Sequence, residues 1–145
     1  MAESTMIVLV FDEEQRAEQL WQRLEELQRS GLVPRNDAAM VICRQDGQVI
    51  VQQVVHAASE GDFNVQTWEF IIKTLLSGWS LGIDDWFIQQ IKQQLLPGTS
   101  AFFILVDEFR SQEALLAFRS YQGKLFYNGL TAEDKAKIKR AAGQA

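Results

Sequence analysis

His56 is the single histidine of the 145 residues, so Cys/His or Ser/His/Asp catalysis would have to run through it alone. It opens a polar stretch that reaches Asn64, surroundings that suit a solvated or hydrogen-bonded structural histidine. A histidine-rich metal site would need several copies gathered around a symmetry axis. Cys43, the single cysteine, lies in an apolar run and reads as a small buried hydrophobe. It allows no internal disulfide and no cysteine-rich metal site. The acidic groups Asp12-Glu13-Glu14, Asp84-Asp85 and Asp107-Glu108 resemble paired carboxylates, but each stands where a helix is about to start. Capping and the positive end of the helix dipole account for them there. No glycine-rich phosphate loop, P-loop or nucleophile elbow is present. These residues lead us to expect a non-enzymatic protein with no catalytic residue, no cofactor and no metal.

The elements that would carry such residues follow from periodicity. Met6-Ile-Val-Leu-Val-Phe11 is a continuous apolar run and reads as a buried central strand. Asp12 then reads as an N-cap, with Gln15 closing a capping box. Ala17, Leu20, Trp21, Leu24 and Leu27 recur at helical spacing until Ser30-Gly31 and Pro34 end the helix. Ala39–Arg44 and Gln48–Val54 flank Gln45-Asp46-Gly47, which predicts an antiparallel hairpin with positive φ supplied by Asp-Gly. The second of these strands has no cleanly polar face, which suggests partial cover on both sides.

Val65, Trp68, Ile71, Ile72, Leu75, Leu76 and Trp79 form an apolar helical stripe, punctuated by Gly78 and Gly82. A second helix, capped by Asp84, carries Phe87, Ile88, Ile91 and Leu95 and stops at Pro97-Gly98. Ala101–Val106 reads as another buried strand. A short helix over 112–120 capped by Ser111, a strand near Lys124–Tyr127 and a helix capped by Thr131 and Asp134 complete the chain. The order β-α-β-β-α-α-β-α-β-α predicts one α+β domain over 1–145, a ferredoxin-like βαββαβ sandwich with a C-terminal α-β-α extension. The hairpin after the first β-α unit argues against a doubly wound nucleotide-binding sheet, which needs a crossover helix there.

A net charge of -5 argues against a nucleic-acid surface, since phosphate binding needs clustered Lys and Arg. Lys135, Lys137, Lys139 and Arg140 read as a solvated basic face near a helix C-terminus. No run approaches the roughly 18 apolar residues of a membrane span, and no basic n-region precedes the first apolar run. An integral span is therefore not expected, and a cytoplasmic location is.

Trp68, Phe70, Trp79 and Trp86 are the candidate interface residues. Trp68 and Trp79 share the apolar stripe, whereas Phe70 and Trp86 fall beside theirs, so the helices are apolar over a wider arc than one sheet face requires. A homo-oligomer, with a further protein partner as an option, is the expected assembly.

Three stretches carry a family resemblance. They are Val8-Leu-Val-Phe-Asp12 with its helix, the Arg44-Gln-Asp-Gly-Gln48 hairpin, and Leu81-Gly-Ile-Asp-Asp85 running on to Leu96-Pro-Gly-Thr-Ser-Ala101-Phe-Phe-Ile-Leu-Val106. Together they resemble the bacterial domain-of-unknown-function family 1269, often labelled predicted membrane proteins. That resemblance implies a fold and a bacterial origin and no chemistry. The family's glycine-rich apolar segment corresponds here to 56–79, where Glu60, Asp62, Glu69 and Lys73 make an amphipathic helix the better reading than a span. The function expected is a self-associating interaction or regulatory protein. The alternative is a small-molecule sensor with its ligand site between subunits.

Overall fold

The computed structural model describes residues 2–23, 26, 29, 38–55, 63–77 and 85–143, with 52–55 described by backbone alone. Among these the elements are β1 (Ser4–Phe11), α1 (Arg16–Gln22), β2 (Ala38–Cys43), β3 (Val49–Val55), α2 (Val65–Ser77), α3 (Asp85–Gln94), β4 (Thr99–Asp107), a 3-10 turn (Glu108–Arg110), α4 (Ser111–Phe118), β5 (Lys124–Leu130) and α5 (Ala132–Ala142). The order of strands and helices is the one read from the sequence, and the class is α+β. His56, Trp79, Asp84 and the expected stops at Gly31, Pro34, Gly78 and Gly82 lie outside the described residues.

The strands form one antiparallel sheet in the order β3-β2-β4-β1-β5. This corrects the arrangement expected of a ferredoxin-like sheet, in which β1 and β3, the second strand of the hairpin, would be central neighbours. Instead β4 lies between β1 and β2, and β3 is displaced to the edge. The physical reason is burial. Ala101–Val106 is apolar at every position, which suits a strand covered on both faces, and all six residues are buried. β3 carries Gln52 and Gln53 and suits a margin. β1 and β4 are therefore the central pair, with Ile7 opposite Ile104 and Leu9 opposite Phe102.

Helices cover both faces. Ile7, Leu9, Phe11, Met40, Phe102 and Ile104 point to one side, where Ala17 and Leu20 of α1 and Ala114 and Phe118 of α4 close over them. Met6, Val8, Val10, Val41, Phe103 and Leu105 point to the other, beneath Trp68, Ile71 and Leu75 of α2, Phe87 and Ile91 of α3, and Ile138 of α5. Burying each such large side chain stabilises the fold by about 1.5–3 kcal/mol. Among the described residues, the alternation of β1 and β4 between two cores covers both faces of the central strands.

Local chemistry sets the joints. The hairpin loop is Gln45-Asp46-Gly47, with Arg44 N–H donating to Gln48 O (2.8 Å) and Gly47 N–H donating to Arg44 O (2.9 Å). Gly47 alone takes positive φ, at 88°, so the loop is a turn closed by a left-handed glycine and Asp46 contributes differently. Its Oδ1 accepts the Gln48 N–H at 2.9 Å. The expected Asp12 cap is not formed; α1 begins after Gln15, without a side-chain cap. Ser100 of β4 takes its place, its Oγ accepting from Ala17 N–H (3.1 Å) and donating to Glu13 O (2.6 Å). A serine 83 residues away in sequence thus satisfies a helix-end donor that local reading gives to Asp12.

The remaining helix ends divide. Arg110 precedes α4 with no side-chain cap, so Ser111 starts the helix and does not cap it. Asn64 Oδ1 accepts Thr67 N–H (2.9 Å) and caps α2. The Thr131–Asp134 capping box is present as expected, with Gly143 closing α5 in the left-handed conformation.

Candidate interaction surface

The candidate residues separate once placed. Trp68 is fully buried in α2, with Phe63 edge-on at 5.4 Å and Phe103 at 6.4 Å. It packs its own core and cannot reach a partner; its indole N–H has no hydrogen-bond partner among the described residues. Phe70 is half-buried against the same core. Trp79 lies outside the described residues. Trp86, by contrast, is 72% exposed on α3, because Phe87, Ile88 and Ile91 are the positions that face the sheet.

Trp86 borders the β5 margin. Among the described residues β5 pairs with β1 on one side only, in unbroken register from Val10↔Lys124 to Ser4↔Leu130. Its side chains alternate, Leu125 packing on the α1/α4 core and Phe126 on the other. Tyr127 stays 56% exposed. It lines a groove of about 210 Å³ with Trp86 and Phe126 on the α3 side. It also lines one of about 440 Å³ with Leu115, Leu116 and Arg119 on the α4 side. Leu116 is 67% exposed, since Ala114 and Phe118 are the buried positions of α4. A belt Leu116–Tyr127–Trp86 therefore crosses the sheet margin.

The sequence reading missed Tyr127 and Leu116. The signal for Leu116 was present, because it falls opposite Ala114 and Phe118 on a helical wheel. Tyr127 gave none until β5 was known to be an edge.

The larger groove is polar at one end. Thr5 Oγ1 donates to Glu108 Oε2 at 2.5 Å, and Ser111 and Gln112 stand beside them. Arg119 lines the groove at the C-terminal end of α4 and makes no ion pair among the described residues.

Other titratable groups are dispersed. Asp107 sits beside Ser4, whereas Asp12 lies beyond the Phe11↔Ser100 pair at the opposite end of the same strands. Among the described residues no three His, Cys, Asp or Glu side chains gather to hold a metal. Cys43 is buried; burial pushes its thiol above the ordinary value of 9.0, a hydrogen bond with Thr99 opposes this, and Glu14 adds a small push upward. Lys135 corrects the reading of a wholly solvated basic face. It is buried, and its Nζ donates to Glu3 Oε1 (2.7 Å) and Ser4 Oγ (2.8 Å).

Residues 73–143 match the model of a family described as a protein of unknown function (DUF1269). The chain resembles DUF1269. The match runs from the end of α2 through α5, so it takes in Trp86, Leu116, Tyr127 and the whole of both grooves around β5 except Thr5. Among the described residues no helix is long and apolar enough to cross a membrane. Neither the curated proteins nor the solved structures gave a match.

Proposed function

We propose that this chain is a non-enzymatic interaction protein that self-associates, two copies joining antiparallel along β5. The observation that carries the reading is the exposed belt of Leu116, Tyr127 and Trp86 across a single-sided strand. An edge strand presents unpaired N–H and C=O groups, and adding a strand satisfies them. A two-fold axis near Tyr127 makes the contact self-complementary. It sets Lys124 across from the partner's Leu130, so like charges do not meet in the ladder.

Charge supports a second copy as the occupant. Each copy carries -5, so contact is favoured only where neither side is charged, and 125–130 is uncharged. Lys124, the charged residue of β5, is turned back to Gln94 Oε1 at 2.6 Å. Light scattering after gel filtration is expected to give a dimer at micromolar protein. Tyr127→Asp should give a monomer with an unchanged circular dichroism spectrum. A wild-type protein that runs as a clean monomer at micromolar concentration would defeat the reading.

A further inference from the structure

The α4–β5 groove holds more than an apolar margin needs. Its walls are the apolar side chains of Leu115 and Tyr127; its ends are chemically opposite. Glu108 and Ser111 stand at the N-terminal end of α4, and Arg119 stands at its C-terminal end. Ser111 is 8% exposed and lines the same end of the groove. Glu108 is steadied by Thr5 Oγ1 on one oxygen, which leaves the other oxygen for a donor. The Glu108 carboxylate draws a cation or an N–H to that end, and the Arg119 guanidinium a carboxylate in a fork it can grip with two bonds, both side-chain charges acting against the weaker preference of the α4 dipole.

We infer that this groove binds a short peptide with free termini, its ammonium at Glu108 and Ser111, its carboxylate at Arg119 and an apolar side chain between Leu115 and Tyr127. Length selects the class. The eight residues of α4 rise about 12 Å, whereas an extended chain covers about 3.3–3.6 Å per residue. Three residues fit that span and a single amino acid does not. The volume of about 440 Å³ falls in the range of small-ligand sites, roughly 300–1,000 Å³. Tyr127 also stands at the centre of the proposed β5 contact, so a peptide seated against it competes there with a second copy.

Titration of the full chain with Ala-Leu-Ala, followed by amide chemical shifts, tests it. Saturable shifts are expected at Thr5, along Ser111–Arg119 and at Tyr127–Gly129. The N-acetylated and C-amidated peptides should each bind about tenfold more weakly, the loss of one charged contact, and free leucine more weakly still. Arg119→Gln should weaken Ala-Leu-Ala and abolish the penalty for amidation; Glu108→Gln should do the same for acetylation. Both positions are exposed, so dispersed spectra of the variants will report an intact fold. Equal affinity for the three peptides, shifts centred elsewhere, tight binding of free leucine, or no shift at millimolar peptide would each overturn the inference. Light scattering on the same samples reads the dimer separately, so failure of the groove and failure of the β5 contact are told apart.

Discussion

The two margins of the sheet are made of similar strands and differ in what surrounds them. β3, Val-Ile-Val-Gln-Gln-Val-Val, has no charge at all, yet its register against β2 shifts between Met40 and Val41. Such a bulge twists an edge away from regular pairing. The groove beside β3 is rimmed by Glu69 and Lys73 of α2. β5 runs in unbroken register, and its grooves set Leu116, Tyr127 and Trp86 among Glu108 and Arg119. The two edges thus differ in the regularity of their ladders, and it is this difference, not strand composition, on which the proposed choice of β5 rests.

The sharpest way to break the comparison is to loosen the β3 side. Trp68 holds α2 against the sheet on that side, and its removal leaves a cavity between Phe63 and Phe103. Trp68→Ala should cost about 3–5 kcal/mol, read as a lower urea midpoint. The fraction that stays folded should still associate, because β5 is untouched. Loss of association in folded Trp68→Ala protein would show that the two margins are not independent.

The β5 side has a different anchor. Lys135 ties α5 to the start of β1 through Glu3 and Ser4, directly beside the strand that β5 pairs with. Lys135→Met keeps the volume and loses both bonds. Glu3 is 58% exposed, so its carboxylate turns to water and no buried charge is stranded. The expected cost is about 1.5–3 kcal/mol, the range for hydrogen bonds to charged groups, again measured by urea unfolding. A cost as large as that of Trp68→Ala would mean that the ion pair organises the sheet margin rather than fastening it.

Parallel substitutions at the two margins sharpen the contrast most directly. Tyr127→Asp on β5 should weaken self-association by at least about tenfold, some 1.4 kcal/mol. Val51→Asp on β3 should leave it within about twofold, or 0.4 kcal/mol. Sedimentation equilibrium of both variants reads the difference. Equal losses would remove the distinction between the edges.

Much of this arrangement was legible from the chain. β1 and β4 announce burial on both faces by unbroken apolar runs, and the hairpin announces itself through Gly47. The capping box at Thr131 and the off-stripe position of Trp86 are likewise local signals. What stayed hidden depends on partners distant in sequence. No local rule could give the helix-start donor at Ala17 to Ser100, turn Lys135 inward to Glu3, or place β4 between β1 and β2. The exposure of Tyr127 belongs to the same class, because an edge is defined by strand order and not by the strand.

Cys43 offers the smallest test, at the β3 side. It ends β2 opposite Val49, and its thiol is held neutral by burial, its value raised above 9.0. A group whose folded value exceeds the unfolded one stabilises the fold below the unfolded value and loses that contribution as pH rises through the folded one. Stability should thus be level with respect to this thiol below pH 9.0 and decline above it. The decline should be shallower in Cys43→Ala, whose own cost at neutral pH is only that of a lost small apolar contact. Urea midpoints for both proteins between neutral and alkaline pH measure it. Identical alkaline slopes would place the alkaline sensitivity elsewhere than in the strand that β3 pairs with, and the β3 margin would then be set by its bulge and by α2 alone.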